Sequence, residues 1–257
     1  MSSIRITFLG TGTSQGVPLI GCQCGICLST DPKDKRLRSS IMIESESTTV
    51  VIDSGPDFRQ QLLRQDVRKL DALIFTHSHK DHIAGMDDIR AFNYLQGKPV
   101  DVFASIETQE VIRNEFPYVF SNSNYPGIPK LNMHTLDGDT PFKVGDLSFL
   151  PIRVMHHKMP VLGFRINDFT YITDANFIEE EELKKVLGSK VLVLNALRRE
   201  EHISHFTLDQ AIALSVRMGA SQTYFTHISH QLGLYADVEK ELPYGINLAY
   251  DTLSINI

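Results

Sequence analysis

No apolar stretch in this chain approaches the roughly 20 residues that a membrane-crossing helix needs, so a helical span is excluded. The opening Met1-Ser2-Ser3-Ile4-Arg5 has neither the basic start nor the long apolar segment of a secretory signal, and a cytoplasmic protein is expected. Positive charge is also short: 25 Lys and Arg face 31 Asp and Glu, a net charge of −6 with a pI near 5.9. The overall balance therefore gives no long-range attraction for nucleic acid, and neither a nucleic-acid nor a membrane partner is expected. The densest basic segment, Lys33 to Arg38, is short and reads as a solvated loop. Linker-like composition is missing as well, which leaves residues 1–257 as one domain of a length able to bury a substantial core. Hydrophobic and charged contents of 42% and 22% are ordinary for a soluble globular protein.

What the chain does have is an unusual concentration of donors. Within six residues, His77-Ser78-His79-Lys80-Asp81-His82 supplies three imidazoles and a carboxylate, directly after the apolar run Ala72-Leu73-Ile74-Phe75. In an extended segment alternate side chains share a face, so His77 and His79 can address one ion. A turn after them carries Asp81 and His82 toward a neighbouring position. Imidazole with carboxylate is the donor set of Zn²⁺, Mn²⁺ or Fe²⁺. A single histidine here would read as a satisfied loop residue; four donors in this order read as a site for two metals.

Further donors stand where later strands end. Val154-Met155-His156-His157, Thr173-Asp174 and Thr226-His227 each follow an apolar run. A carboxylate has two oxygens, which makes Asp174 the natural bridge between two ions. The pair His156 and His157 leaves one ligand ambiguous.

The order of elements supports a mixed α/β protein. Strands are expected at 4–9, 40–43, 48–52, 72–75, 100–104, 147–154, 163–166, 170–173, 191–195, 223–226 and 253–257. Helices are expected at 58–65, 86–95, 107–115, 179–186, 208–218 and 234–241, with the Glu179–Glu182 run forming the acidic first turn of its helix. Two stacked sheets with helices outside accommodate this pattern. The loop Gly10-Thr11-Gly12-Thr13-Ser14-Gln15-Gly16 lacks the Lys-Ser/Thr ending of a phosphate-binding P-loop, and no helical pattern follows it. Its glycines instead let the backbone pass close to the metal centre. The segment 116–130, with three prolines and several aromatics, has the length of a flap over a pocket.

All three cysteines fall in Cys22-x-Cys24-x-x-Cys27. In a cytosolic protein this clustering favours a metal over a disulfide, and three thiolates need a fourth donor to close a tetrahedral zinc site. His230, three residues after His227, is the candidate for that place.

The run His77-x-His79-x-Asp81-His82, followed by a His, an Asp and a final His, resembles the metallo-β-lactamase superfamily over essentially the whole chain. The resemblance implies a four-layer αββα sandwich with two metals at one edge. It assigns His77, His79 and His156 to one ion and Asp81, His82 and His227 to the other, with Asp174 shared. His156 is preferred because related sequences place a small residue and then Lys after the ligand; His157 would align if the loop before Gly163 were one residue shorter.

Gly10–Pro18, the cysteine run and Thr226-His227-Ile228-Ser229-His230-Gln231 together resemble the phosphoribosyl 1,2-cyclic phosphate phosphodiesterase group. A similar cysteine run occurs in the protein associated with pyrroloquinoline quinone biosynthesis. The resemblance implies a homodimeric hydrolase of a small cyclic phosphodiester, with two divalent ions, Zn or Mn, at the active site and one structural Zn. Two adjacent cations make hydroxide available near neutral pH and neutralise phosphoryl oxygens. Asp81 and His205 are the candidate catalytic residues, His205 as general acid, since similar phosphodiesterases carry a His at its position; His202 is the nearby alternative. Other outcomes for the same fold are a lactonase or thioester hydrolase, a nuclease like ribonuclease Z, and a small-molecule carrier. A di-iron oxidoreductase fits poorly, because those relatives carry a carboxylate where His79 stands.

Overall fold

Alternating burial organises the first half of the chain. In the computed structural model, which describes residues 3–121 and 125–257, Ile6, Phe8, Ile41, Ile43, Val50, Ile52 and Ile74 point one way, while Leu9, Met42, Val51 and Leu73 point the other. Strands apolar on both faces must be covered on both, and they are. One side meets a second sheet through Phe149, Phe164, Phe169, Tyr171 and Val193. The other meets helices through Phe58, Leu62, Phe92 and Ile112.

The first sheet contains β1 (Arg5–Gly10), β2 (Ser40–Glu44), β3 (Thr49–Ile52), β4 (Ala72–Ile74), β5 (Val100–Ser105), β6 (Leu131–Leu136) and β14 (Ser254–Asn256). Its order is β14-β1-β2-β3-β4-β5-β6, antiparallel up to β3 and parallel from there. The second contains β7 (Phe142–Val144), β8 (Leu147–His156), β9 (Met159–Ile166), β10 (Phe169–Tyr171), β11 (Val191–Asn195), β12 (Gln222–Thr226) and β13 (Ile246–Leu248). They run in the order β13-β12-β11-β10-β9-β8-β7, with β10 to β13 parallel.

Helices α1 (Phe58–Arg64), α2 (Lys80–Ile83), α3 (Arg90–Gln96) and α4 (Ile106–Glu115) belong to the first half. Leu183, Leu208, Ala211 and Val238 of α5 (Glu180–Val186), α6 (Leu208–Met218) and α7 (Tyr235–Glu241) cover the second sheet. The layers are therefore helix, sheet, sheet, helix, the expected αββα sandwich. Local signals set the helix ends. Thr207 and Gln210 close a reciprocal capping box at the start of α6, Gly219 in the left-handed region ends it, and Glu180 to Glu182 occupy the first turn of α5.

Several boundaries differ from the expected ones. Strands β6, β7 and β13 lie where none is expected, and β9 starts four residues early because Pro160 pairs with Met155 without breaking it. The basic segment 33–38 is not a solvated loop. Arg36 is buried, donating to Thr11 Oγ1 (2.8 Å) and the Ala249 carbonyl (2.6 Å), and Lys33 lies over the rings of Tyr235 and Tyr250. Of the segment read as a flap, residues 122–124 lie outside the described residues. Its flanks are held to α3: Tyr94 Oη donates to the Pro126 carbonyl, Asn93 pairs with both backbone groups of Lys130, and Tyr118 bonds Asp87 just before the helix.

Candidate metal centre

The C-terminal ends of β3, β4, β8, β10, β11 and β12 deliver their next residues to one edge of the sandwich. There the chain leaves the sheets sharply. Asp53, Asp174 and His227, each just past a strand, all have left-handed backbones with φ of 65°, 53° and 56°. Such conformations cost of order 1–3 kcal/mol for non-glycine residues and persist where surrounding contacts fix them.

Asp53 is one source of that fixing. Fully buried, its carboxylate accepts from the Thr76 N–H (2.9 Å), the Thr76 hydroxyl (2.8 Å) and His82 Nδ1 (2.7 Å). Since the Thr76 hydroxyl is committed as donor to Asp53, it accepts from His77 Nδ1 at 2.9 Å. Both histidines thus spend Nδ1–H on the protein and hold Nε2 bare. Those two Nε2 atoms are buried and have no hydrogen-bond partner. An orphaned buried nitrogen lone pair is costly unless something electrophilic completes it, and a divalent cation does so.

The remaining donors converge on the same place. The rings of His77, His79 and His156 lie 4.7, 5.1 and 5.8 Å apart, centroid to centroid. His82 Nε2 stands 3.2 Å from Asp81 Oδ2 and 3.3 Å from Asp174 Oδ2, and His227 Nδ1 lies 3.1 Å from Asp174 Oδ2. Two donors at ~2.1 Å from one ion are ~3.0 Å apart at octahedral angles and ~3.4 Å apart at tetrahedral ones. The observed separations fall between these limits, so the residues present fit divalent metal ions.

Charge follows the same logic. Burial opposes ionising Asp81 and Asp174, yet facing imidazoles, chiefly His82 for Asp81 and His227 for Asp174, hold both below the ordinary carboxylate range. Burial pushes His77 well below the ordinary imidazole range, and His82 adds to the shift, keeping the neutral form a metal requires. Burial acts on His82 too, but Asp81, Asp174 and Asp53 outweigh it and raise its affinity for a proton. The same carboxylates would favour a cation at its Nε2.

Each alternative left open by the sequence has a distinct location. His156 is buried, its Nδ1 donating 2.8 Å to the Ser204 carbonyl, whereas His157 is exposed and outside the cluster. His205 is buried between the rings of His156 (4.5 Å) and His227 (4.8 Å), with its Nδ1 3.8 Å from Asp174 Oδ1 and no hydrogen-bond partner. His202 lies farther out, half-buried, with its ring 5.0 Å from that of His205. Burial, followed by the neighbouring His227, lowers the His205 pKa far below the usual value, so its ring is neutral.

The cysteines gather as expected. One donor atom each from Cys22, Cys24, Cys27 and His230 lies within 4.8 Å of all the others. His230 Nδ1 is 3.3 Å from Cys24 Sγ and 3.6 Å from Cys22 Sγ. Zn–S of ~2.3 Å and Zn–N of ~2.05 Å at a tetrahedral angle give an S···N edge of ~3.5 Å. His230 draws the Cys24 thiol pKa down to about 6, while burial raises that of Cys27 to about 11. Thr13, in the loop that precedes the cysteines, is held at the buried cluster: its N–H donates to the Ile228 carbonyl, and its hydroxyl lies 3.4 Å from His227 Nε2. The close approach at the glycines of this loop is to residues 36–38 rather than to the metal centre, since a Cβ on Gly10 would stand 2.0 Å from the Arg38 carbonyl oxygen and one on Gly12 2.9 Å from that of Arg36.

Sequence reasoning missed Asp53, Thr76 and Asn195 as supporting residues. Asn195, buried at the end of β11, clamps Ala175 beside Asp174 by accepting from its N–H (2.8 Å) and donating to its carbonyl (2.9 Å). The available signal was positional: each is a polar residue at or just past the end of an apolar strand, as the donors are.

A family profile described as a beta-lactamase superfamily domain matches residues 48–228, most of the chain. The crystal structure of a diphosphatase from the PhnP family superposes with a TM-score of 0.92 at 37% identity, covering 98% of this chain and 97% of that one. An octanoyltransferase of Porphyromonas gingivalis is 38% identical over 252 residues, which is 97% of this chain and 51% of that protein. A ribonuclease Z of Methanococcus maripaludis is 25% identical over 145 residues, 55% of this chain and 41% of that protein. The chain spans about half the length of these curated relatives or less. It belongs to the metallo-β-lactamase superfamily, with its resemblance to the PhnP family extending from end to end. Among the described residues no helix is long and apolar enough to cross a membrane.

Proposed function

We propose that the chain is a dinuclear metal-dependent phosphodiesterase acting on a small cyclic phosphodiester such as phosphoribosyl 1,2-cyclic phosphate. In this reading His77, His79 and His156 hold one ion, Asp81, His82 and His227 the other, and Asp174 serves both. Cys22, Cys24, Cys27 and His230 hold a structural zinc. The catalytic ions, Zn²⁺ or Mn²⁺, would supply an activated water and neutralise charge on the phosphoryl oxygens.

The observation that carries the proposal is His205. Its buried Nδ1 has no hydrogen-bond partner among the described residues and lies beside His156 and Asp174 of the donor set, and in this reading an arriving substrate completes it. The neutral ring offers a hydrogen bond to a phosphoryl oxygen. With the phosphate's negative charge beside it the ring takes up a proton from solvent, and the imidazolium so formed gives that proton to the leaving ring oxygen as its bond to phosphorus breaks. Similarity to a diphosphatase over the full chain and to a ribonuclease over part of it supports chemistry at phosphorus. The octanoyltransferase, matched over half its length, makes thioester cleavage the reading to test beside it.

The test is hydrolysis of a panel by metal-quantified protein: phosphoribosyl 1,2-cyclic phosphate, bis(p-nitrophenyl) phosphate, a lactone and an octanoyl thioester. Turnover of the two phosphodiesters, with the cyclic one preferred, is expected. Activity confined to the lactone or thioester would overturn the substrate class.

A further inference from the structure

Among the described residues the His205 side chain has no hydrogen-bonded anchor at Nδ1. Its Nδ1 is unpartnered, and Asp174, the nearest carboxylate, is 3.8 Å away. Where the imidazole sits therefore depends on its backbone, in the loop between β11 and α6. The base of that loop is closed by Leu197 N–H to the Phe206 carbonyl (3.1 Å) and Leu208 N–H to the Arg198 carbonyl (2.9 Å). Nearer the tip, three bonds tie it to the metal edge. Phe206 N–H donates to the Ala175 carbonyl (2.8 Å), His156 Nδ1 to the Ser204 carbonyl (2.8 Å), and Asn176 Nδ2 to the Ile203 carbonyl (3.1 Å).

Asn176 alone among these brings a side chain that is neither a donor of the metal cluster nor part of the loop. Its other end is also occupied, since Oδ1 accepts the His157 N–H at 2.7 Å. His157 has a left-handed backbone, φ 57°, at the turn between β8 and β9. The Asn176 backbone is fixed as well, its N–H donating to the Met155 carbonyl (2.9 Å). One amide thus spans the turn that carries His156 and the loop that carries His205, and it needs both an acceptor and a donor to do so.

We propose that Asn176 is a positioning residue for the general acid: its side chain sets the distance between His205 and the metal edge, so proton delivery to the leaving oxygen depends on it. The inference rests on the role given to His205 in the phosphodiesterase reading. Asn176→Asp is the discriminating change. It keeps size and the acceptor for the His157 N–H, but turns a carboxylate oxygen against the Ile203 carbonyl. Asn176→Leu removes both bonds and serves as the second variant.

The readout compares leaving groups. An alkoxide leaving from a ribose ring needs a proton, whereas p-nitrophenolate leaves readily without one. In Asn176→Asp, kcat for phosphoribosyl 1,2-cyclic phosphate should fall roughly 10- to 100-fold, with KM little changed, and kcat for bis(p-nitrophenyl) phosphate should fall less than about threefold. Metal content should match the parent protein. Equal losses on both substrates, loss of metal, or no loss on either would overturn the proposal. His205→Ala, measured alongside, separates the two levels. If it shows the leaving-group split and Asn176→Asp does not, only the positioning role fails. If His205→Ala shows no split, the general acid and its positioning residue fall together.

Discussion

The buried His/Asp cluster takes donors from four segments between His77 and His227, each at or just past the end of a strand, whereas the cysteine cluster takes three of its four from a single run of six residues. The first is supported before any ion arrives: Asp53 orients His77 and His82, Ser204 orients His156, and Asn195 holds the backbone beside Asp174. The second has little such support. Its loop contains no strand or helix between Gly16 and Asp31, Cys22 and Cys24 are partly exposed, and Ile20 is 95% exposed. A site assembled by a sandwich can leave coordination positions for substrate, while a site assembled by its own metal must be closed to be stable. The two clusters meet at one short segment, since His227 and His230 are three residues apart. An ion held by the cysteine cluster would thereby steady the strand end that bears His227.

Substitutions on each side test this contrast. Asp174→Ala should have the largest effect, lowering phosphodiester turnover on the order of 10³-fold and depleting the buried cluster while the cysteine cluster keeps its ion. Retention of all metal would refute the shared-ligand role. Asp53→Asn should act less severely. Three donors face the carboxylate, and an amide can accept from only one side, so metal affinity measured against a competing chelator should weaken roughly 10- to 100-fold. Unchanged affinity would mean the Asp53 network does not orient the histidines. Cys24→Ser should do least to the chemistry: one zinc lost per chain, a lower Tm, and turnover reduced roughly 2- to 10-fold once the catalytic ions are replenished. Abolished turnover would show that the cysteine cluster is not merely structural.

Much of this was legible in the chain because donors and strand ends coincide. Asp174 follows Tyr171-Ile172-Thr173 and His227 follows Tyr224-Phe225-Thr226, so the apolar run announces both the strand and the position of the donor. The missed strands share a physical cause. β6, β7 and β13 are each at a sheet edge, where one flank has no partner. Leu131–Leu136 shows the result, with only Leu136 fully buried and His134 and Asp101 pairing in solvent. Such a strand has no continuous apolar run to betray it. Pro160 hid the start of β9 in another way, since a ring without an N–H argues against a strand until the pairing pattern is known. Asp53 was hidden by its company: Asp53-Ser54-Gly55-Pro56 reads as a turn, and only the fold shows the carboxylate pointing inward at His82 and at Thr76, which holds His77.

The most direct measurement is elemental analysis of the purified protein paired with turnover of phosphoribosyl 1,2-cyclic phosphate during stepwise chelation. The account predicts about three divalent ions per chain, with turnover tracking the occupancy of two of them. Full turnover in protein stripped of every ion, or a chain that binds no more than one, would contradict it.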